Sequence, residues 1–296
     1  MSDRENSHVA IKILRGHSTD LVRRRLIWEL EALKLISICN CFQMSSLSST
    51  PTHCLRLLSD FTFPDKRSAG DHMCFVTQVL GGDVNSLFDS HRQPFPLPLA
   101  KRTLLHVLRG IAHVHKCGVV HIDSKHDSIF FSIRMSTENF EALLTSDQSR
   151  RRHPKSTKSL LIHFLLPEIL IWGPWNEKVD IWTFGCLIFE IVTGGVLFKY
   201  KPFQRFNLDE LSYLLYTMLC YTCEDFSADQ LTVSKWAGRF FDSTCNLGAN
   251  PLNHKVIDEA DVLSTGALMR RRLHLDPAEQ ASAVNLLSDP LFAGVD

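Results

Sequence analysis

The chain has 296 residues, 45% of them hydrophobic, which is enough to build a sizeable core in one large two-lobed domain or in two ordinary ones. Lys plus Arg and Asp plus Glu balance at 32 each, which excludes a global field drawing the chain to nucleic acid or to an anionic membrane. Nine cysteines without the regular spacing of a secreted disulfide scaffold, a start (MSDRENSH) without an apolar signal core, and no apolar run of spanning length point to a reducing compartment, cytoplasmic or nuclear.

In chain order, His8-Val9-Ala10-Ile11-Lys12-Ile13-Leu14 reads as a strand, and polar breakers follow it. Residues 20 to 37 place Leu26, Leu30, Leu33 and Ile36 at helical spacing, with Ser18 or Thr19 as N-cap and Glu29 on the inward face. Residues 55 to 63 and 73 to 80 read as two further strands joined by a loop, and Gly81-Gly82 ends the sheet region. This predicts a small unit over residues 1–80 and a larger, helical one over 81–296.

In the second unit, Leu99, Leu104, Leu108, Ile111, Ala112 and His115 mark one face of a helix that Gly118 stops. Residues 136 to 160 are polar and aperiodic, so a loop is expected there. Residues 178 to 193 are apolar nearly all round, as in a helix at the centre of a helical unit. Asp276-Pro277-Ala278-Glu279 has the composition of a helix start, and no internal repeat is present.

Chemistry concentrates in His121-Ile122-Asp123-Ser124-Lys125, just after the first of those helices. Asp123 is the candidate catalytic carboxylate and Lys125 a cation to balance a transferring phosphoryl group, with His121 as a structural residue. Asp180, on the apolar helix, is expected to be buried, so it needs donors. The backbone of the His121 loop would supply them.

Val9-Ala10-Ile11-Lys12, the loop at His121, Leu166-Pro167-Glu168 and Asp180-Ile181-Trp182-Thr183-Phe184-Gly185 together resemble the eukaryotic-type protein kinases. Within these, residues 72 to 81, Trp236-Ala237-Gly238-Arg239-Phe240-Phe241-Asp242 and Leu275-Asp276-Pro277-Ala278-Glu279 look like the fungal SR-protein kinases. The resemblance implies an α+β two-lobed fold, and ATP- and Mg²⁺-dependent phosphorylation of serine or threonine in a protein partner, with Arg/Ser-rich proteins as the expected class. A monomer without direct nucleic-acid contact is expected. It also implies that Ala10, Lys12, Glu29, Gln78 and Leu80 hold the nucleotide, that Ser128 stands at a metal-ligand position, and that Glu168 is structural.

Four departures from the pattern bear on activity. Lys12 lies too near the start for a glycine-rich loop to precede it, Ser128 replaces an asparagine, and no Asp-Phe-Gly lies between residues 128 and 166. The arginine expected opposite Glu168 is Gln280. The nearby acids are Glu138, Glu141 and Asp147, without strand context. Losing the main metal ligand costs about a thousandfold in rate or more. An impaired kinase, a catalytically dead binding module and an incomplete gene product are therefore the readings that remain.

Cys220-Tyr221-Thr222-Cys223 and the group Cys39, Cys41, His53 and Cys54 lack a full zinc ligand set and read as incidental. The basic runs at Arg23, Arg150 and Arg270 read as solvated faces. An unpaired edge on the first strand is expected to lower solubility.

Overall fold

The computed structural model describes residues 8–43, 53–64, 70–91, 94–133, 135–146, 166–198, 209–222, 224–241 and 273–295. Cys223, Asp147, Asp242 and the basic runs beginning at Arg150 and Arg270 lie outside these residues.

Strand β1 (Val9–Ile13) leads into helices α1 (Gly16–Arg23) and α2 (Glu29–Gln43), then strands β2 (Leu57–Pro64) and β3 (Asp71–Gln78). The three strands form an antiparallel sheet in the order β1-β3-β2. Lys12 lies opposite Phe75 in the register, so the two share a face. Phe75 is buried in a small cluster with Leu14, Val22, Leu30 and Met73. The sheet face carrying Lys12 is therefore the one covered by the helices.

The single helix expected over residues 20 to 37 is two. Arg24 closes α1 by donating to Asp20 O, and Arg25 then adopts a left-handed φ of 56°. Leu26 is left 61% exposed. Thr19 caps nothing; its hydroxyl is buried and accepts from the Met73 amide at 2.9 Å, pinning α1 to β3. The shift matters because Glu29 now opens α2.

Strand β4 (Leu80–Asp83) continues from β3 and contains Gly81 and Gly82, so the glycines do not end strand structure as expected. Helices α3 (Val84–His91) and α4 (Leu97–Lys116) follow, then a 3-10 turn (His126–Ser128) and strand β5 (Phe130–Ser132), which pairs with β4. Residues Thr137–Ser146 form helix α5 rather than a loop, with Ser136 Oγ accepting from the Asn139 amide at 3.3 Å. Its polar sequence hid it, for none of its residues is buried.

After α6 (Pro167–Leu170), helix α7 (Lys178–Thr193) has twelve buried residues and anchors the main core with Leu104, Leu105 and Leu108 of α4. Gly194, at φ 71°, takes the left-handed position that ends it. Around α7 stand α8 (Glu210–Thr222), α9 (Ala228–Val233), α10 (Ala237–Phe240) and α11 (Ala283–Leu286). The helix expected at Asp276 does not form. Asp276 Oδ1 caps the Ala278 amide at 2.9 Å, but Gln280 is buried and turns its Nε2 to His274 O at 2.8 Å, which keeps the chain in a turn.

Candidate active site

Helix α4 delivers the chain to the site. Gly118, at φ 71°, turns it out of the helix into Val119-Val120 and then the His121 loop. Beneath that loop lies Asp180, with no exposed surface. Its Oδ2 accepts from the His121 amide at 2.8 Å and its Oδ1 from the Ile122 amide at 2.7 Å. The His115 ring Nε2 lies 2.8 Å from Oδ2. A buried carboxylate persists only when its oxygens are bonded in this way.

Ile122 has a φ of 67°, a left-handed conformation that a β-branched residue avoids. Such strain costs on the order of 1–3 kcal/mol and persists where the surroundings over-determine it. Here the Asp180 bond to its own amide does so. The consequence is that Asp123 is presented outward, with its side chain 58% exposed.

Lys125 Nζ lies 3.2 Å from Asp123 Oδ2 and 3.9 Å from Asp127 Oδ1. Ser128 is committed to the loop itself: its hydroxyl accepts from the Lys125 amide at 2.9 Å and sits 2.7 Å from Lys125 O. Lys12 and Glu29 form a direct ion pair between β1 and α2. Ala10 and Gln78 flank it on the same sheet, and Leu80 is half-buried opposite Ser132 of β5. Thus the structure assembles two groups, Lys12 with Glu29 and Asp123 with Lys125, Ser128, His121 and Asp180. Among the described residues no hydrogen bond or ion pair joins the groups.

An ammonium held by a carboxylate while 57% exposed can receive a nucleotide phosphate, so Lys12 and Glu29 fit that part of ATP. The metal fares differently. Ser128 Oγ is turned into the loop backbone, Asp123 and Asp127 both flank a lysine, and no group of three or more His, Cys, Asp or Glu among the described residues could hold an ion. Among the described residues no ligand set for Mg²⁺ is assembled.

Glu168 is 5% exposed, and neither carboxyl oxygen has a hydrogen-bond partner among the described residues. Burial pushes its carboxyl up to about 7. Gln280 offers no relief, since its amide nitrogen is given to His274. Cys54 is half-buried, and burial pushes its thiol up to about 12, which keeps it neutral. His115 is the site residue that sequence reasoning missed. It was read only as part of a helix face, although its place on the last turn before the His121 loop was the available signal.

The protein kinase domain model matches residues 1–292, and the chain belongs to that family. Among curated proteins it is similar to mitogen-activated protein kinases. It is 27% identical to HOG1 of Beauveria bassiana over 292 residues, covering 97% of this chain and 72% of that protein. It is 28% identical to hog-1 of Neurospora crassa over the same shares, and 27% identical to Hog1 of Zymoseptoria tritici, covering 95% and 70%. These relatives are not SR-protein kinases, so the narrower resemblance is corrected while the family-level one stands. Among the described residues no helix is long and apolar enough to cross a membrane.

Proposed function

We propose that the chain is a serine/threonine kinase-family protein in which Asp123 orients the accepting hydroxyl and Lys125 balances charge on the transferring group. Lys12, steadied by Glu29, receives the nucleotide phosphates. Residues 1–80 and 81–296 serve as its two lobes, and its partners are proteins. Transfer is slow, because the described residues assemble no ligand set for the metal that would neutralise the phosphates. The observation that carries this reading is the hold of Asp180 on the His121 and Ile122 amides, which fixes Asp123 beside Lys125.

A test is transfer of labelled γ-phosphate from ATP to a generic basic protein substrate. Transfer that disappears in Asp123→Asn supports the reading; transfer equal in both proteins overturns the role of Asp123. The second reading is a pseudokinase that binds partners without transferring phosphate. It is favoured by Ser128, whose hydroxyl is spent inside the loop. Background turnover together with partner binding insensitive to Asp123→Asn would select it.

A further inference from the structure

The His121 loop meets α7 twice. Asp180, in the first turn of α7, takes the loop's backbone amides; Glu190, in its last turn, meets the loop's far end. Glu190 Oε2 lies 3.4 Å from His126 Nε2, with the two side chains 6% and 18% exposed. His126 immediately follows Lys125 and opens the 3-10 turn that carries Asp127 and Ser128. The edge of its ring packs on Phe88 of α3 at 5.3 Å and 85°. A buried acid on this largely apolar helix is costly unless it is bonded or neutralised.

We propose that Glu190 is a positioning residue: acting through His126, it is a second tether of the catalytic loop to α7, and it sets the place of Lys125 between Asp123 and Asp127. The inference rests on reading residues 121 to 128 as that loop.

Cys186, one turn back on α7, is wholly buried, and its thiol is held well above its ordinary value, so it stays neutral. The acids of β4 and α3 are engaged locally, Asp83 accepting from the Ser86 amide and Asp89 from Asn85. Lys125 and Asp127 face one another. Burial pushes Glu190 up to about 8 and His126 down to about 4, so at neutral pH the acid is protonated and the imidazole neutral. Neutral partners stay in close contact without a buried net charge, and at 3.4 Å the contact falls short of a hydrogen bond. Above about pH 8 the carboxylate forms, and the contact becomes a buried charge beside an uncharged ring.

Amide hydrogen exchange on the full chain, read over residues 119 to 130, tests this. At pH 6.5 Glu190→Leu should speed exchange there by about tenfold or more while α4 and the rest of α7 keep their protection, and Glu190→Gln should restore the wild-type rate. On raising the pH to about 8.5, wild-type exchange should rise beyond its intrinsic pH dependence, and Glu190→Gln should lack that excess. His126→Leu removes the same contact from the loop side, so the double variant should exchange no faster than either single one. Unchanged loop exchange in both Glu190→Leu and His126→Leu overturns the tether. So does additive loosening in the double variant, or an excess pH response that persists in Glu190→Gln. Exchange does not require phosphate transfer: a failed tether alongside transfer that depends on Asp123 removes only this inference, and an intact tether without transfer removes only the activity.

Discussion

Asp180 and Ile122 carry opposing terms. Three partners stabilise the buried carboxylate, while the left-handed Ile122 spends part of that stabilisation as strain. Asp180→Ala should cost about 3 kcal/mol or more in urea unfolding, because two loop amides lose their acceptor. Ile122→Gly, free of the Cβ clash, should gain about 1 kcal/mol. No gain would mean that the loop relaxes by another route. Glu168 sets a pH dependence. Its folded value lies above that of an ordinary carboxylate, so the folded state binds the extra proton and stability falls as pH rises from about 4.5 through about 7. The loss is roughly 3 kcal/mol by pH 8. In Glu168→Gln the melting temperature should fall less steeply between pH 6 and 8.5 than in the wild type, the remaining slope coming from Glu190; an unchanged slope in the variant would remove Glu168 as a source. At this scale much was legible: Asp180 was expected to be buried and to draw donors from the His121 loop, and the geometry has it so. His115 was not legible, because a histidine on a helix face has no period of its own.

Among the elements, legibility followed hydrophobic periodicity. The buried helix α7 and the amphipathic α4 were plain from their apolar positions. The break between α1 and α2 was not, because Leu26 keeps the helical spacing while the backbone at Arg25 abandons it. Helix α5 escaped because its face is polar, and the start expected at Asp276 failed because the buried Gln280 side chain competes with the helix. Strand β1 is an edge in the order β1-β3-β2, and Val9, Ile11 and Ile13 are 44–57% exposed along it. An apolar strand with no partner strand on its outer edge among the described residues invites association. Ile11→Lys should shift the sedimentation profile toward smaller species while changing unfolding free energy by only about 0.5 kcal/mol. An unchanged profile would show that association does not start at this strand.

At the scale of the molecule the described residues form two hydrophobic clusters of unequal size, the smaller beneath the sheet and the larger around α7. The scaffold that presents Asp123 belongs to the larger, and the Lys12–Glu29 pair spans the sheet and α2 beside the smaller. Family membership was legible because several short motifs, buried ones among them, occur together along the chain. The fate of Ser128 was not legible: only coordinates reveal a hydroxyl bonded to its own loop. A kinase loop held in place by Asp180, with no metal ligand set among the described residues, is thus the central claim. Calorimetric binding of a non-hydrolysable ATP analogue, with millimolar Mg²⁺ and then with EDTA, tests it most directly. The account predicts affinities within about threefold of each other, both lost in Lys12→Met. Tightening by about tenfold or more on adding Mg²⁺ would contradict it.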